Sequence, residues 1–516
     1  MTQSSIPDLD QKNSKLLRLL GWVERTGNKL PHPALLFLLL ALLVVVGSWI
    51  LSTMGLSAKH PVKPDTVSVF NLLSIDGLHF IINNMVKNFV GFAPLGSVLV
   101  ALLGFSLAEK SGLIAAVLRS VLGVTPKALV LPTVFLAGIF SHTAGDVGYV
   151  LLIPLSGMVF HSLGMNPIAG IAASFAGVSG GFAANFVLSS ADPMLAGISQ
   201  EAAKIIDPNY KVSPLSNWYF MSSSSVLIVM LGTIVASKVT IPFLGKYTGT
   251  EKAAPLSSLS IHERSALKWA SVSFLIIIGL LCLGLIPEQG FLRDKATGSV
   301  LQSPVVHGVV VVIFFIGAVP GLIYGLLSRS FKSQNDVVDA MQDSMVTMAP
   351  YIVLVFFASQ FINLFNASNI GLILAVHGSD FLKAAGLGAV PLMIGFILLV
   401  CLLDLFIGSA SAKWTLIAPI FVPMFMLLGY TPELTQASYR IGDSVVNIVS
   451  PLMSYFPLIV TFMNKYDPKA RVGTLLSLML PYSLVFLVFW SLFLFGWMTL
   501  ELPLGPGAGL WLNRGP

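Results

Sequence analysis

The chain has 516 residues, of which 55% are hydrophobic and 10% charged, with a net charge of +6 and a mean hydropathy of +0.86. A soluble protein covers its surface with about 25% charged residues, so most of this surface must face lipid. The two cysteines, Cys282 and Cys401, both lie in apolar runs and point to neither a disulfide framework nor a metal site. The basic residues are scattered through loops, so no nucleic-acid partner is expected.

The first 32 or so residues are polar and contain no apolar core followed by a cleavage site, so 1–33 reads as a cytoplasmic N-terminal segment without a signal peptide. Spans near the ~20 residues that cross a bilayer then follow in chain order. The first is 34–54, followed by an outside loop to 92. An interrupted span at 93–108 and an interfacial stretch at 112–122 come next. Residues 127–163 are apolar but broken by SHTAGD at 141–146, which predicts a re-entrant hairpin. A second interrupted span, 168–205, is followed by clear spans at 216–240, 268–288, 305–328 and 348–366. After an interfacial stretch at 369–386, residues 392–428 predict a second hairpin, broken by GSASAK at 408–413. The last two spans are 433–463, interrupted, and 474–498. The predicted fold is an all-α polytopic membrane protein with nine transmembrane helices and two re-entrant helical hairpins.

The chain also repeats itself. At a constant offset of 265, Pro154 falls on Pro419, Gly164 on Gly429, Pro167 on Pro432, Ala172 on Ala437, Gly177 on Gly442 and Ser179 on Ser444. Tyr149 falls on Trp414. With the N-terminus inside, the inside segments carry 17 Lys and Arg and the outside segments 9, as the positive-inside rule asks. The two hairpins then enter from opposite sides, so the repeats are inverted, a hallmark of secondary transporters. This divides the chain into 34–92 (scaffold), 93–215 (first repeat, transport core), 216–328 (scaffold), 348–463 (second repeat, transport core) and 474–516, the last helix with its tail.

Ionisable residues inside membrane spans are costly and functional by default. They are His142, Asp146, Asp192, Asp404, Lys413, Arg440 and Asp443. Arg440 and Asp443 are three apart and share a helix face, either as a structural ion pair or with Arg440 facing an anionic substrate while Asp443 holds it or takes a coupling proton. Asn447, Ser450 and Pro451 follow and break that helix, which exposes a half-helix N-terminus to carboxylates. In the first repeat, Asn185 and Asp192 are the candidates; Asp192 before Pro193 marks a helix stop, and either caps the next helix or binds a cation, a proton or the substrate. Ser141, His142, Thr143 and Asp146 at one tip, and Ser409 and Ser411 at the other, are candidates for a coupling proton or an unassigned sodium, or serve helix packing. Trp414 either stacks a substrate ring or packs, and Lys413 either snorkels or pairs with a nearby acid. No HExxH metal motif, GxxxxGK[ST] loop or hydrolase elbow is read, so neither an enzyme nor an ATP-driven pump is expected. A channel, lacking saturable counterflow, is the remaining rival.

Several stretches resemble the AbgT family of bacterial aminobenzoyl-glutamate transporters and antimetabolite exporters. They are GWVERTGNKLPHPALLF at 21–37, KNFVGFAPLG at 87–96, AGVSGGFAAN at 176–185, GSASAKWTLIAPIFVPMFMLLGYTPELTQASYRIGDS at 408–444 and LPLGPG at 502–507. The resemblance implies nine membrane helices, two hairpins, a homodimer and an inner-membrane location. It also implies, motif by motif, that Asp192, Ser411, Trp414, Pro432, Arg440, Asp443 and Pro451 are functional. The first tip reads SHT where some relatives read SNT, so residue 142 is not carried over. The expected activity is secondary active transport of p-aminobenzoyl-glutamate or a similar folate-related anion, driven by protons or sodium without another cofactor. The alternative is proton-driven export of sulfonamide-type antimetabolites.

Overall fold

The computed structural model describes residues 31–59, 65–142, 148–251, 259–450 and 452–512. Thr143, Asp146 and Pro451, all proposed above as site residues, lie outside the described residues. The described chain is almost wholly helical; a two-stranded antiparallel pair, β1 (Ser57–Lys59) with β2 (Thr66–Ser68), is its one sheet.

Helix α1 spans Pro33–Thr53, and Pro33 opens it where a missing N–H costs nothing. Helices α2 (Ile75–Val90) and α3 (Ala93–Lys110) follow almost without a break. The expected outside loop to residue 92 is therefore partly helix. Ser74 caps α2 by accepting from Gly77 N–H at 3.0 Å, and Ile75, Leu78, Ile82, Val86 and Val90 recur at helical spacing on an exposed stripe. Next come α4 (Leu113–Val124) and α5 (Val130–Ser141), then a π-helical turn at Gly148–Leu152 that leads into α6 (Ile153–Ser162). Helix α7 (Pro167–Phe175) runs on through a π turn at Ala176–Gly180, and α8 is Ala191–Ala203. Helices α9 (Trp218–Val235), α10 (Ile261–Leu285), α11 (Val309–Ser328) and α12 (Gln334–Ala367) come next, with a single turn at Pro304–His307 left unnumbered. The remainder is α13 (Ile370–Ala384), α14 (Ala389–Asp404), α15 (Ala410–Met426), α16 (Pro432–Asn447), α17 (Phe456–Asn464) and α18 (Val472–Thr499). By length and composition, seven helical stretches among the described residues are long and apolar enough to cross a bilayer.

Two expected spans, 168–205 and 433–463, each resolve into two helices with non-helical backbone between them. Helices α7 and α16 begin at 167 and 432, and α8 and α17 begin at 191 and 456, so both starts keep the offset of 265. The local causes also recur. Gly164 and Gly429 turn the chain with φ of +71° and +90°, which glycine adopts without Cβ strain. Asn166 and Thr431 then cap, accepting from Ile168 N–H at 3.0 Å and Leu434 N–H at 3.3 Å, ahead of a first-turn proline. A Cβ on Gly177 would sit 3.2 Å from Phe135 Cα, and one on Gly442 would sit 2.8 Å from Val400 Cβ. Positions 135 and 400 are again 265 apart.

Helices α3 and α11 meet through small residues. A Cβ on Gly317 would lie 2.8 Å from the Gly104 carbonyl, inside van der Waals contact with backbone. Lipid gives helices no hydrophobic drive to associate, so this close approach supplies the packing energy. Gly317→Val is expected to cost about 1–3 kcal/mol by overpacking, read as a lower melting temperature in detergent.

Candidate functional site

The two non-helical breaks and the start of α15 gather the buried charges. Arg440 on α16 donates through Nη1 to Asp192 Oδ1 at 2.8 Å and through Nη2 to the Ala183 carbonyl at 2.8 Å. Ser444, one turn on, accepts from Ala183 N–H at 3.1 Å. The Ala183 residue in the break after α7 is thus held on both its N–H and its carbonyl by α16. The other Asp192 oxygen accepts from Asn185 Nδ2 at 2.7 Å, Ser189 N–H at 2.7 Å and Ser189 Oγ at 3.1 Å. Asp192 and Arg440 are each only 2% exposed, so the pair is desolvated and fixed by its extra hydrogen bonds.

Two expectations change here. Asp192 does not stop a helix; it lies in the first turn of α8, where a carboxylate faces the positive helix end and Pro193 is tolerated. That N-terminus already holds an anion, the protein's own. Arg440 and Asp443 do not pair with each other, because residues three apart on a helix still point about 60° away from one another. Arg440 faces α8, whereas Asp443 faces α15.

Asp443 belongs to a second cluster. Lys413 Nζ lies 2.8 Å from Asp443 Oδ1 and is also paired with Asp404 Oδ1. The single Tyr439 hydroxyl proton can go to the Ala410 carbonyl at 2.6 Å or to Asp443 Oδ1 at 3.0 Å. Lys413 and Asp404 are fully buried. Of the two sequence readings for Lys413, snorkelling fails and pairing holds. Asp404 and Lys413 stood in the list of intramembrane charges without a named partner, and Tyr439 was not singled out at all.

The remaining candidates fall around these clusters. Trp414 is fully buried, stacks on Tyr439 with ring centres 4.5 Å apart, and donates to Ser199 Oγ at 3.1 Å. Ser199 continues to Gln436 at 2.6 Å, and Gln436 to Asn217 at 3.0 Å, which ties α8 to α16. One face of the Trp414 ring is therefore occupied by the protein. Trp414→Phe is expected to keep the stack and cost about 1 kcal/mol for the lost hydrogen bond, against about 3–5 kcal/mol for Trp414→Ala, compared by thermal melting. Pro432 opens α16 and Asn447 closes it, both buried. Ser409 caps α15, accepting from Ala412 N–H at 3.4 Å, and Ser411 lies 3.2 Å from Ser409. Ser141 donates to the Gly138 carbonyl at 2.6 Å. His142 is buried edge-on to Phe182, and its Nε2 has no hydrogen-bond partner.

A cavity of about 330 Å³ joins His142, Phe182 and Ser189 to Ser344, Thr347 and Tyr351 of α12. Its size falls in the range of about 300–1,000 Å³ typical of small-molecule sites. Ser189 lines this cavity and donates to Asp192, so the cavity wall is continuous with the Arg440–Asp192 clamp. A larger cavity of about 430 Å³ between α4, α10 and α11 is lined almost entirely by apolar side chains, with Ser141 on its wall, and none of the buried charges lines it.

One motif needs correcting. Residues 177–181 read GVSGG, which has the G-x-S-x-G spacing of a hydrolase elbow. Ser179 lies in a π-helical turn rather than a strand-to-helix turn, and its Oγ has no partner to act as a base. It is not a nucleophile.

A helical membrane chain whose buried ion pairs bridge two broken helices has the build of a transporter. The family model described as "AbgT putative transporter family" matches residues 18–512, and the chain belongs to that family. It is 41% identical over 507 residues to the p-aminobenzoyl-glutamate transport protein of Escherichia coli K12, covering 98% of this chain and 99% of that one. Among solved structures, the YdaH transporter of Alcanivorax borkumensis is 44% identical with a TM-score of 0.88, covering 92% of this chain and 100% of that one. Neisseria gonorrhoeae MtrF, described as illuminating a class of antimetabolite efflux pumps, is 47% identical with a TM-score of 0.88, covering 95% and 100%. The family and these relatives are transporters, not enzymes.

Proposed function

We propose that this protein is a secondary active transporter of p-aminobenzoyl-glutamate or a similar folate-related anion, working by alternating access. The observation that carries this reading is the Arg440–Asp192 clamp, which ties α16 to the first turn of α8 beside the 330 Å³ cavity. A substrate carboxylate that reaches Arg440 replaces Asp192, and in doing so frees the Ala183–Asp192 segment from α16. Glu109 also lines the cavity, so that end suits an arylamine or another hydrogen-bond donor rather than a second carboxylate. The 41% identity to the Escherichia coli p-aminobenzoyl-glutamate protein favours this substrate class.

The architecture we assign is nine transmembrane helices and two re-entrant hairpins, 127–163 and 392–428, in inverted repeats. The matched helix starts, caps and glycine contacts at an offset of 265 support the repeat. The repeats at 93–215 and 348–463 form the transport core, and the segments 34–92 and 216–328 the scaffold. The protein works as a homodimer in the bacterial inner membrane, with its N-terminus cytoplasmic and C-terminus periplasmic. Similarity to MtrF supports a second reading, proton-driven export of sulfonamide-type drugs through the same site.

Counterflow in proteoliposomes tests the assignment. Unlabelled p-aminobenzoyl-glutamate inside is expected to drive saturable entry of the labelled compound. Flux that never saturates would mean a channel. Counterflow of a labelled sulfonamide alone would favour the export reading.

A further inference from the structure

Formal charge is not balanced in the second cluster. Asp404, Lys413 and Asp443 bring two carboxylates to one ammonium, and all three are at most 3% exposed. Among the described residues, no other cation pairs with either carboxylate. Arg440, on the same helix as Asp443, is committed to Asp192 and the Ala183 carbonyl. From α14, the neighbours are Asp404 and the thiol of Cys401, which donates to the Gly442 carbonyl at 3.6 Å. From α16, Tyr439 supplies a neutral hydroxyl to Asp443, and from the break beyond α16, Ser450 donates to the Asp404 backbone carbonyl at 3.2 Å. An uncompensated charge is among the costliest things to bury in a membrane protein, so the cluster holds one more positive charge than its side chains supply.

We propose that Asp404, Lys413 and Asp443 form the coupling site of this transporter, in which the two carboxylates share one exchangeable proton beside the Lys413 ammonium. This deepens the transport reading and rests on it. A proton fits better than a metal cation, because a hard cation collects oxygen ligands all round and the space between these carboxylates is filled by the ammonium. Loading forms an O–H bond on one carboxylate from water on one side of the membrane. Unloading breaks that bond to water on the other side, and Lys413 then faces two charged partners. The placement gives the proton leverage. Asp404 ends α14, Lys413 lies in the first turn of α15 and Asp443 lies on α16, next to the clamp residue Arg440. A change of charge at this point pulls on the proposed second hairpin and on the clamp together.

Two measurements on the reconstituted full-length protein test this. Difference infrared spectroscopy at neutral pH is expected to show the carbonyl stretch of a protonated carboxyl group. Asp404→Asn and Asp443→Asn should each remove the band, because one acid then balances one ammonium; parent and variants are compared in a Glu433→Gln background, since Glu433, which accepts from the Tyr210 hydroxyl at 2.9 Å, is a second buried carboxyl. A protonated-carboxyl band unchanged in both variants, or absent from the parent protein, overturns the shared proton whatever the substrate proves to be. The second measurement is accumulation of p-aminobenzoyl-glutamate under one unit of pH gradient with the membrane potential clamped at zero, which one coupled proton raises about tenfold. Asp404→Asn is expected to bring that ratio down to about one while counterflow remains detectable. Parent-like accumulation by Asp404→Asn would leave the triad a structural cluster and overturn its coupling role. If Asp404→Asn fails to insert, Asp443→Asn carries the same comparison.

Discussion

Replacing Arg440 with alanine is expected to abolish substrate accumulation and to cost about 3–5 kcal/mol of stability, because it strands a buried carboxylate. Asp192 keeps its bonds from Asn185 and Ser189 but loses its countercharge, and the Ala183 carbonyl loses the Arg440 donor. The two losses separate in a double-mutant cycle. Adding Asp192→Ala removes the stranded charge and should restore about 0.5–3 kcal/mol, the usual coupling between contacting residues. Transport should not return, since the group that receives the substrate carboxylate is gone. Melting curves and flux on the same preparations check both parts. Transport recovered in the double variant would make the pair a pure structural clamp and remove Arg440 from the substrate site.

Lys413→Met is expected to be the most damaging single change in the second cluster, at about 3–5 kcal/mol. It leaves Asp404 and Asp443 facing each other with only the Tyr439 hydroxyl as a donor. Asp404→Asn, by contrast, is expected to cost less than about 1 kcal/mol, because one acid and one ammonium remain and the amide keeps the shape of the acid. This asymmetry follows from the charge count. If all three residues served only as a neutral packing unit, the two substitutions would cost similar amounts. Thermal melting of the purified variants at one pH reads the difference directly.

Much of the architecture was legible in the sequence, because the features that set it are local. Pro167 and Pro432 favour helix starts, Gly164 and Gly429 favour turns, and their common offset of 265 pointed to one unit used twice. Length and hydropathy were enough for α1, α10, α11 and α18. Helix α2 was less visible, since its Asn and His residues masked a stripe with helical period. The charged site was legible only as an inventory. Arg440 meets a partner 248 positions away, and Lys413 meets acids supplied by two other helices. No local rule reaches across such distances, and the one local rule available, spacing of three on a helix, pointed Arg440 at Asp443. The bond between Ser189 and Asp192 was nearer to hand: a serine three residues before an Asp-Pro pair that starts a helix is the pattern of a capped first turn.

The most direct measurement is flux of labelled p-aminobenzoyl-glutamate into proteoliposomes under a proton gradient alone and then under a sodium gradient alone. Saturable, concentrative uptake with the proton gradient, and none with sodium, is the expected result. Accumulation only under sodium would end the role given to Asp404, Lys413 and Asp443. The absence of p-aminobenzoyl-glutamate flux under both gradients, from protein shown to be folded and inserted, would end the substrate assignment itself.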